Sequence, residues 1–183
     1  MRGVSDKNIL DEFCIKFCSV VEKHCKYIVV SGFVAISSGR TRATEDIDMI
    51  IEKLPIEKFK SLHSDLLKEG FVCMQSDSAE ETFDYLAHNT AVRYTIENKA
   101  LPEMEMKFVK DALDDYQIKT RIKLPLTGLD IWFSSIDMNV AFKEEALKSD
   151  KDLKDAEHLR KVYAEMIDES EINEIKKMIR KLR

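Results

Sequence analysis

The stretch SGFVAISSGRTRATEDIDMIIE, residues 31–52, decides the fold. Before it lies YIVV (residues 27–30), a short apolar and β-branched run that is typical of a buried strand. Ser31-Gly32 then allows a sharp backbone turn, and Gly39 ends a short helix predicted over residues 33–38. Because the first amides of a helix favour anions, a phosphate group could approach this turn.

Two acidic residues share one face of the next predicted strand. In DIDMII (residues 46–51), the period of two places Asp46 and Asp48 on one face and the apolar residues on the other. Residues two apart on a strand are about 6.6 Å apart along the backbone. Carboxylates that lean together across this gap can hold Mg²⁺ ions. The strand therefore predicts a metal site beside the turn.

The order strand, Ser-Gly turn, short helix, RATEDID (residues 42–48) and apolar strand resembles the polymerase-β-type nucleotidyltransferase superfamily. Within it, the chain is most similar to the small abortive-infection nucleotidyltransferases, which are toxins. Their usual turn is Gly-Gly or Gly-Ser, whereas this chain has Ser31-Gly32. The resemblance implies transfer of a nucleoside monophosphate from a nucleoside triphosphate to a hydroxyl acceptor, with Mg²⁺ or Mn²⁺ as cofactor.

The resemblance also gives roles to single residues near the turn. Arg42 has two interpretations, a contact with the triphosphate or the acceptor and an ion pair with Glu45 or a neighbouring acid. For Arg40 the ion pair is the favoured interpretation. The metal ligands implied are Asp46, Asp48 and a third acid. The nucleotide-binding residues implied are Ser31, Gly32, Arg42, Thr44 and Lys143.

The third acid is expected on a strand beside the acidic pair, between apolar residues. EMEMKF (residues 103–108) is predicted as the partner of a strand over residues 91–97, and Met104-Glu105-Met106 matches that setting. Glu103 lies on the same face and is a competing candidate, and Lys107 could pair with either acid. The family more often has Asp here, and Glu is longer by one methylene.

A later motif falls on two predicted helices. The first is capped by Ser134 or Ser135, and the second runs from about residue 150 to 165. By resemblance, Lys143 neutralises triphosphate charge, Asp152 acts as a base or positions the acceptor hydroxyl, and Asp155 orients Lys143 or Lys151. The alternative is a set of exposed ion pairs at helical spacing.

The whole pattern predicts an α/β (α+β) fold with a small mixed sheet, flanking helices and a C-terminal helical portion. The 183 residues suit a single domain, with the sheet and acidic site in about 1–133 and helices in about 134–183. The first helix is expected to be capped by Ser5 or Asp6 and to run to about Lys26. Other predicted helices cover residues 56–68, 78–88, 111–119 and 169–183, and other strands cover 71–74 and 129–133.

Composition limits the class of protein. With 44% hydrophobic and 34% charged residues, the chain is globular and not disordered. A net charge of -5 disfavours nonspecific coating of nucleic acid. Because no run of eighteen apolar residues and no signal sequence occur, we expect a cytoplasmic protein without a membrane span. Cys14 and Cys18, four apart on one helix face, are interpreted as core residues and not as metal ligands.

The acceptor stays open at this level. RNA, protein and small molecules all carry suitable hydroxyls, and the resemblance to toxins favours RNA or protein and suggests an antitoxin partner. A monomer or a small homo-oligomer is expected. One alternative function is an idle nucleotide-binding or interaction module, which Glu105 pointing away from Asp46 and Asp48 would indicate. Metal-dependent phosphoester hydrolysis by the same acids is the other.

Overall fold

The computed structural model describes residues 8–44 and 46–182, and it contains five strands and eight α-helices within them. The strands are β1 (Tyr27–Val30), β2 (Asp46–Ile51), β3 (Phe71–Cys73), β4 (Val92–Ile96) and β5 (Glu103–Phe108). The helices are α1 (Ile9–Val21), α2 (Gly32–Ser37), α3 (Ile56–Lys68), α4 (Ala79–Ala87), α5 (Ala112–Lys119), α6 (Ile136–Phe142), α7 (Asp150–Val162) and α8 (Glu169–Leu182).

The five strands form one mixed sheet in the order β1-β2-β5-β4-β3. β2 pairs with β5 in parallel, and the other three pairs are antiparallel. The predicted α/β fold with a small mixed sheet and flanking helices is confirmed. The parallel pair is decisive for the site, because it aligns Asp46 with Glu103 and Asp48 with Glu105.

One sheet face packs against aromatic residues of the surrounding helices. The Phe17 ring of α1 lies 5.1 Å from the Phe71 ring and 5.6 Å from the Tyr94 ring, measured between centroids. Cys14 and Cys18 are buried in the same core, which confirms their interpretation as core residues. The opposite face carries the acids of β2 and β5 together with a smaller apolar cluster of Ile28, Ile50 and Ile118.

Helix α1 begins later and ends earlier than predicted. Asn8 caps it, because its side chain accepts a hydrogen bond from the Asp11 amide (2.9 Å) and the Asp11 carboxylate accepts one from the Asn8 amide (3.1 Å). The predicted caps Ser5 and Asp6 lie outside the described residues. The helix ends at Val21, so that the chain can turn before entering β1.

The predicted strand over residues 129–133 is wrong. Only Phe133 forms isolated bridges, to Val29 of β1 and to Ile122. Ser135 caps α6 by accepting a hydrogen bond from the Met138 amide (3.2 Å), so the chain enters a helix directly after the bridge. Residues 129–132 form no bridge, so this segment contributes one ladder position and not a strand.

The C-terminal helical portion differs from prediction in two places. Helix α6 continues into a π-helical turn, Lys143–Leu147, and π-helical turns of this kind often mark functional sites. The helix predicted to residue 165 splits into α7 and a 3₁₀ turn, Ala164–Met166. Helix α8 packs on α6 through buried isoleucines. None of the described helices has the length and apolar character to cross a bilayer.

Candidate active site

Three carboxylates meet on the open face of β2 and β5. Asp46, Asp48 and Glu105 each offer an oxygen, and these oxygens lie within 4.8 Å of one another. Their side chains share a face because the parallel register sets Asp48 opposite Glu105. Carboxylate oxygens are the ligands that hard divalent cations such as Mg²⁺ and Mn²⁺ prefer, so this donor set fits such an ion. We call these three residues the acidic triad.

Glu103 and Arg93 flank the acidic triad. Arg93 donates two hydrogen bonds to Glu105, of 3.2 and 3.1 Å, and its Nε lies 3.5 Å from the Glu103 carboxylate. Glu103 is therefore held by Arg93 beside the triad. Of the two candidates for the third acid, Glu105 is the one whose oxygen comes together with those of Asp46 and Asp48.

The Asp48 carboxyl has a pKa well above its usual value. Burial raises the pKa of its carboxyl to about 6, and the nearby carboxylates of Glu105 and Asp46 add to the rise. A hydrogen bond from Ser31 and the charge of Lys107 act in the opposite direction. Near neutral pH the triad therefore concentrates negative charge at a partly desolvated site, and this charge favours binding of a cation.

Ser31 occupies a backbone conformation that suits glycine. Its φ of 66° and ψ of -136° lie outside the regions that residues with a Cβ adopt easily, and such conformations cost on the order of 1–3 kcal/mol. In this chain the serine keeps the strain and gains a hydroxyl that hydrogen-bonds to Asp48. Strain retained beside paired acids is a common property of functional sites.

Gly32 makes room for Arg42. A Cβ built on Gly32 would lie only 1.9 Å from Nη2 of Arg42, so the guanidinium rests directly on the turn. Nη2 also lies 3.2 Å from Oδ2 of Asp155. Within the described part of the chain, Nε and Nη1 of Arg42 are buried and have no hydrogen-bond partner. Buried donors without partners are costly, which makes them candidates for an anionic ligand.

Asp155 is the centre of a buried ion cluster that ties the turn to α7. Its fully buried carboxylate accepts hydrogen bonds from Nε of Arg40 (2.9 Å) and Nζ of Lys143 (3.1 Å), and it pairs with Arg42. Lys143 is 1% exposed and lies 3.5 Å from Asp152. We call Arg40, Arg42, Lys143 and Asp155 the Asp155 cluster.

These contacts bear on the two interpretations of Arg42 and Arg40, an ion pair or a contact with the triphosphate or the acceptor. Both Arg40 and Arg42 form ion pairs, and their partner Asp155 stands more than a hundred positions further along the chain. Glu45, the local partner considered for Arg42, lies outside the described residues. Asp155 orients Lys143, whereas no ion pair of Lys151 is found among the described residues. The exposed ion pairs considered for Lys143 and Asp155 do not occur, because both side chains are buried.

Thr44 and Asp152 occupy supporting positions. The Thr44 hydroxyl donates to Oδ1 of Asp46 (3.0 Å) and to its carbonyl (3.1 Å), so it orients the first acid of the triad. Asp152 accepts a hydrogen bond from the Ser149 hydroxyl, and its amide donates to the Ser149 oxygen (3.1 Å). Ser149 thereby fixes Asp152 at the start of α7, next to Lys143.

A pocket of about 230 Å³ opens beside the triad. Its lining includes four side chains that were predicted as site residues from the sequence, which are Ser31, Asp48, Glu105 and Lys143. The rest of its lining was not predicted as part of a site, because these side chains belong to no motif and come together only in the folded protein. These lining residues are Val30, Met49, Ile50, Lys107, Asp114, Gln117, Met138, Asn139, Phe142 and Leu147.

A second and more open groove lies on the other side of Asp46. It has a volume of about 380 Å³ and holds side chains of both charges. The acidic triad thus stands between a closed, partly apolar pocket and an open, charged groove. The groove is lined by Ala43, Thr44, Asp46, Arg93, Leu101, Glu103 and Lys151.

Comparisons with known proteins identify the fold. No protein-family model matches the chain, and no curated protein matches its sequence. Two solved structures of the antibiotic-resistance factor ANT(2'')-Ia align with it at TM-scores of 0.55 and 0.54. Their identities are 11% and 14%, and the alignments cover 94% and 95% of this chain and 91% and 98% of those chains.

A third solved structure gives the same result. The antigenic nucleotidyltransferase-like protein from Paracoccidioides brasiliensis aligns with a TM-score of 0.53 at 15% identity, over 94% of this chain and 88% of that one. At such identities the likeness shows the fold alone. The chain has the fold of nucleotidyltransferases, as the resemblance of residues 27–52 implies.

Proposed function

We propose that this protein is a metal-dependent nucleotidyltransferase that moves a nucleoside monophosphate from a nucleoside triphosphate to a hydroxyl acceptor. The observation that carries the proposal is the convergence of the Asp46, Asp48 and Glu105 oxygens within 4.8 Å, next to a pocket. Residues from two strands that are far apart in the sequence meet there. A fold that hosts nucleotidyltransferases supports the same reading.

The triad would hold Mg²⁺ or Mn²⁺. Bound there, such ions supply Lewis-acid activation of the acceptor oxygen and of the phosphoryl group. Asp46, Asp48 and Glu105 set the position of that charge, and Thr44 keeps Asp46 oriented toward it. Because Asp48 is buried among like charges, the site repels further anions until its negative charge is neutralised.

The residues around the pocket suit a triphosphate. Lys143 lines the pocket with its ammonium group held by Asp155, and it would offset the charge of the leaving pyrophosphate. Arg42 lies against Gly32 with two donors unpartnered in the described structure, and the Ser31-Gly32 turn beside it would receive phosphate oxygens. The nucleotide-binding role of Arg42 thus joins its ion pair with Asp155.

The proposed step is an in-line displacement. An acceptor oxygen forms a bond to the α-phosphorus, the bond from that phosphorus to the bridging oxygen of the β-phosphate breaks, and pyrophosphate leaves. The proton of the hydroxyl must be removed, and Asp152, fixed by Ser149, is our candidate for the base or for positioning the hydroxyl. The open groove beside Asp46 is the side from which the acceptor would enter.

The acceptor class is the part to be tested most broadly. Similarity to the abortive-infection toxins suggests an RNA or protein acceptor and an antitoxin partner. The fold neighbour ANT(2'')-Ia has been solved with adenylyl-2''-tobramycin, which adds small molecules to the candidates. An idle nucleotide-binding module is less well supported, since Glu105 lies with Asp46 and Asp48 instead of pointing away from them.

The experiment is transfer of label from each α-labelled nucleoside triphosphate, with Mg²⁺, to total RNA, a protein extract or a set of hydroxyl-bearing antibiotics. Wild type should label one acceptor class and release pyrophosphate. Glu105→Gln should lower the rate at least about 100-fold, as loss of a group that stabilises transition-state charge does. Glu103→Gln, the matched control two positions away on the same face, should lower it only a few-fold.

Three results would contradict the proposal. Equal losses of transfer rate in Glu105→Gln and Glu103→Gln would show that Glu105 is not the third acid of the triad. Release of phosphate instead of pyrophosphate would show hydrolysis. Binding of nucleotide and Mg²⁺ without transfer to any of the three acceptor classes would favour the idle module.

A further inference from the structure

A chain of four buried polar side chains forms one wall of the pocket. Asn139 donates through Nδ2 to the Ser134 carbonyl (3.0 Å), and the Ser134 hydroxyl donates to Oε1 of Gln117 (2.9 Å). Nε2 of Gln117 then donates to Oδ1 of Asp114 (3.4 Å). All four side chains are at most 6% exposed, and Asp114, Gln117 and Asn139 line the pocket. We call them the polar wall.

The pocket that the polar wall lines also contains apolar side chains. Met138 and Phe142 of α6 and Ile50 of β2 also line the pocket. A space that is apolar on some sides and carries a few fixed polar groups is typical of a site for a flat, heteroaromatic ligand. The wall is separated from the acidic triad by Lys107, whose Nζ lies 4.0 Å from Oδ2 of Asp114.

Hydrogen bonds fix what each side chain of the wall can offer. Nδ2 of Asn139 is used by the carbonyls of Ser134 and Ser135, and within the described structure its Oδ1 has no partner. Gln117 receives the Ser134 hydroxyl at Oε1, so its amide group is oriented with Nε2 toward Asp114 and with one N–H in excess. Asp114 is a carboxylate that accepts from Gln117 and from the Lys110 amide (3.2 Å).

The wall therefore presents two acceptors, Asp114 and Asn139, and one donor, Gln117. Burial raises the pKa of the Asp114 carboxyl, and the positive charge of Lys107 acts in the opposite direction. A buried acceptor that meets another acceptor in a ligand costs free energy, whereas one that meets an N–H gains a hydrogen bond. Adenine, cytosine and guanine each carry an exocyclic amino group, and uracil shows carbonyl oxygens in its place.

We propose that the polar wall reads the edge of the nucleobase and selects triphosphates whose base has an exocyclic amino group over UTP. This inference rests on the proposed function, because it takes the pocket as the nucleotide site. In it, Ser134 is a positioning residue that sets the amide of Gln117. Asp114 is the residue whose charge and acceptor character discriminate among the bases.

The test is isothermal titration calorimetry with the four nucleotides as α,β-methylene triphosphates and Mg²⁺. Wild type should bind at least one amino-bearing nucleotide about 10-fold more tightly than the UTP analogue, the discrimination of a well-placed pair of hydrogen bonds. Asp114→Asn should reduce that ratio about 5-fold or more and leave the affinity for the UTP analogue within about 2-fold. Asp115→Asn, an exposed neighbour paired with Lys119, should change neither value.

Gln117→Glu is a second, independent test of the affinity ratio if Asp114→Asn does not melt cooperatively. It keeps the size of the side chain and the bond from Ser134 and removes the donor, so the ratio should change here too. Equal affinity of wild type for all four analogues would overturn this inference and leave the proposed function standing. Equal weakening of all four by Asp114→Asn would show a purely structural role. Failure of wild type to bind any of them would overturn both.

Discussion

Two groups of charged side chains lie on either side of the Ser31-Gly32 turn, and they solve opposite electrostatic problems. In the Asp155 cluster one buried carboxylate is surrounded by three cations, with pairs of 2.9 to 3.2 Å. In the acidic triad three carboxylates face one another, and Arg93 reaches only one of them. The first arrangement holds the protein together, and the second leaves charge for a ligand to neutralise.

The contrast shows how a buried carboxylate can be assigned a task from its surroundings. If Asp155 were lost, Arg40 and Arg42 would lose this partner and Lys143 would keep only its 3.5 Å contact with Asp152, so the Asp155 charge stabilises the fold. Asp48 is destabilised by its neighbours, and loss of its charge removes a repulsion. Replacing Asp155 by Asn is therefore expected to lower the free energy of unfolding, and replacing Asp48 by Asn is expected to raise it.

The largest effect is expected for Asp155→Asn. This change leaves the buried Lys143 and the partly buried Arg40 and Arg42 without the anion that they share, and breaking a buried pair in this way costs about 3–5 kcal/mol. Urea denaturation followed by circular dichroism measures the loss. Asp152→Asn, which touches the same lysine from a more exposed position, is the control and should cost less than about 1 kcal/mol. If Asp152→Asn lost more free energy of unfolding than Asp155→Asn, the Asp155 cluster would not be what stabilises the fold.

The opposite sign is expected for Asp48→Asn without metal. The folded-state pKa of Asp48, about 6, lies above the unfolded value near 4, so ionisation weakens the fold as pH rises between these values. The variant should be more stable than wild type by about 2 kcal/mol above pH 6, and the difference should vanish below about pH 4. Thermal melts across this range measure it.

Addition of Mg²⁺ extends the same comparison. Several millimolar Mg²⁺ at neutral pH should raise the melting temperature of wild type, because an ion that binds only the folded state stabilises it. Asp48→Asn should respond much less. A wild type that is indifferent to the ion, or a variant that gains as much, would contradict the assignment of the triad as a metal site.

A smaller effect is expected where the two regions touch, at Gly32. The Cβ of Gly32→Ala would displace the Arg42 guanidinium and weaken its pair with Asp155, at a cost of about 1–2 kcal/mol. In an Arg42→Met background the same change should cost close to nothing, since the guanidinium is gone. A double-mutant cycle on denaturation free energies measures this coupling. Additive effects would show that the turn and the cluster are independent.

The smallest effect is expected for Ser31→Gly. Glycine relieves the positive φ of 66°, and part of that gain is lost to the entropy of the unfolded chain and to the missing hydroxyl. A net stabilisation of about 1 kcal/mol is expected in chemical denaturation. Ser31→Ala keeps the strain and removes the hydroxyl, so it should not stabilise. Equal stability of both variants would place the effect in the hydroxyl and not in the backbone.

Local patterns were sufficient for much of the fold. The alternation of DIDMII and EMEMKF placed three acids on one sheet face, and the structure has both strands there. The strand predicted over residues 129–133 failed because an apolar run does not reveal whether a neighbouring strand pairs with it along its length, and within this run Phe133 alone forms bridges. The pattern also gave no sign that α6 would unwind into a π-helical turn at Lys143.

Long-range pairing was beyond the reach of the sequence. Lys143 and Asp155 were recognised by resemblance, but their burial against Arg40 and Arg42 depends on how α7 packs beside α2. The same limit applies to Asp114, Gln117 and Asn139. Each is an ordinary helix residue in the sequence, and the polar wall exists only because α5 and α6 are brought together through Ser134.

The sequence by itself determined the five strands of the sheet, the turn and the side of the sheet on which the acids lie, because period-two alternation and turn chemistry are local properties of the chain. Tertiary structure alone decided that β2 and β5 run in parallel, which brings Glu105 to Asp48, and that Asp155 is neutralised while Asp48 is not. Those outcomes depend on distances between side chains far apart in sequence, and the electrostatic character of a carboxylate follows from its neighbours in space.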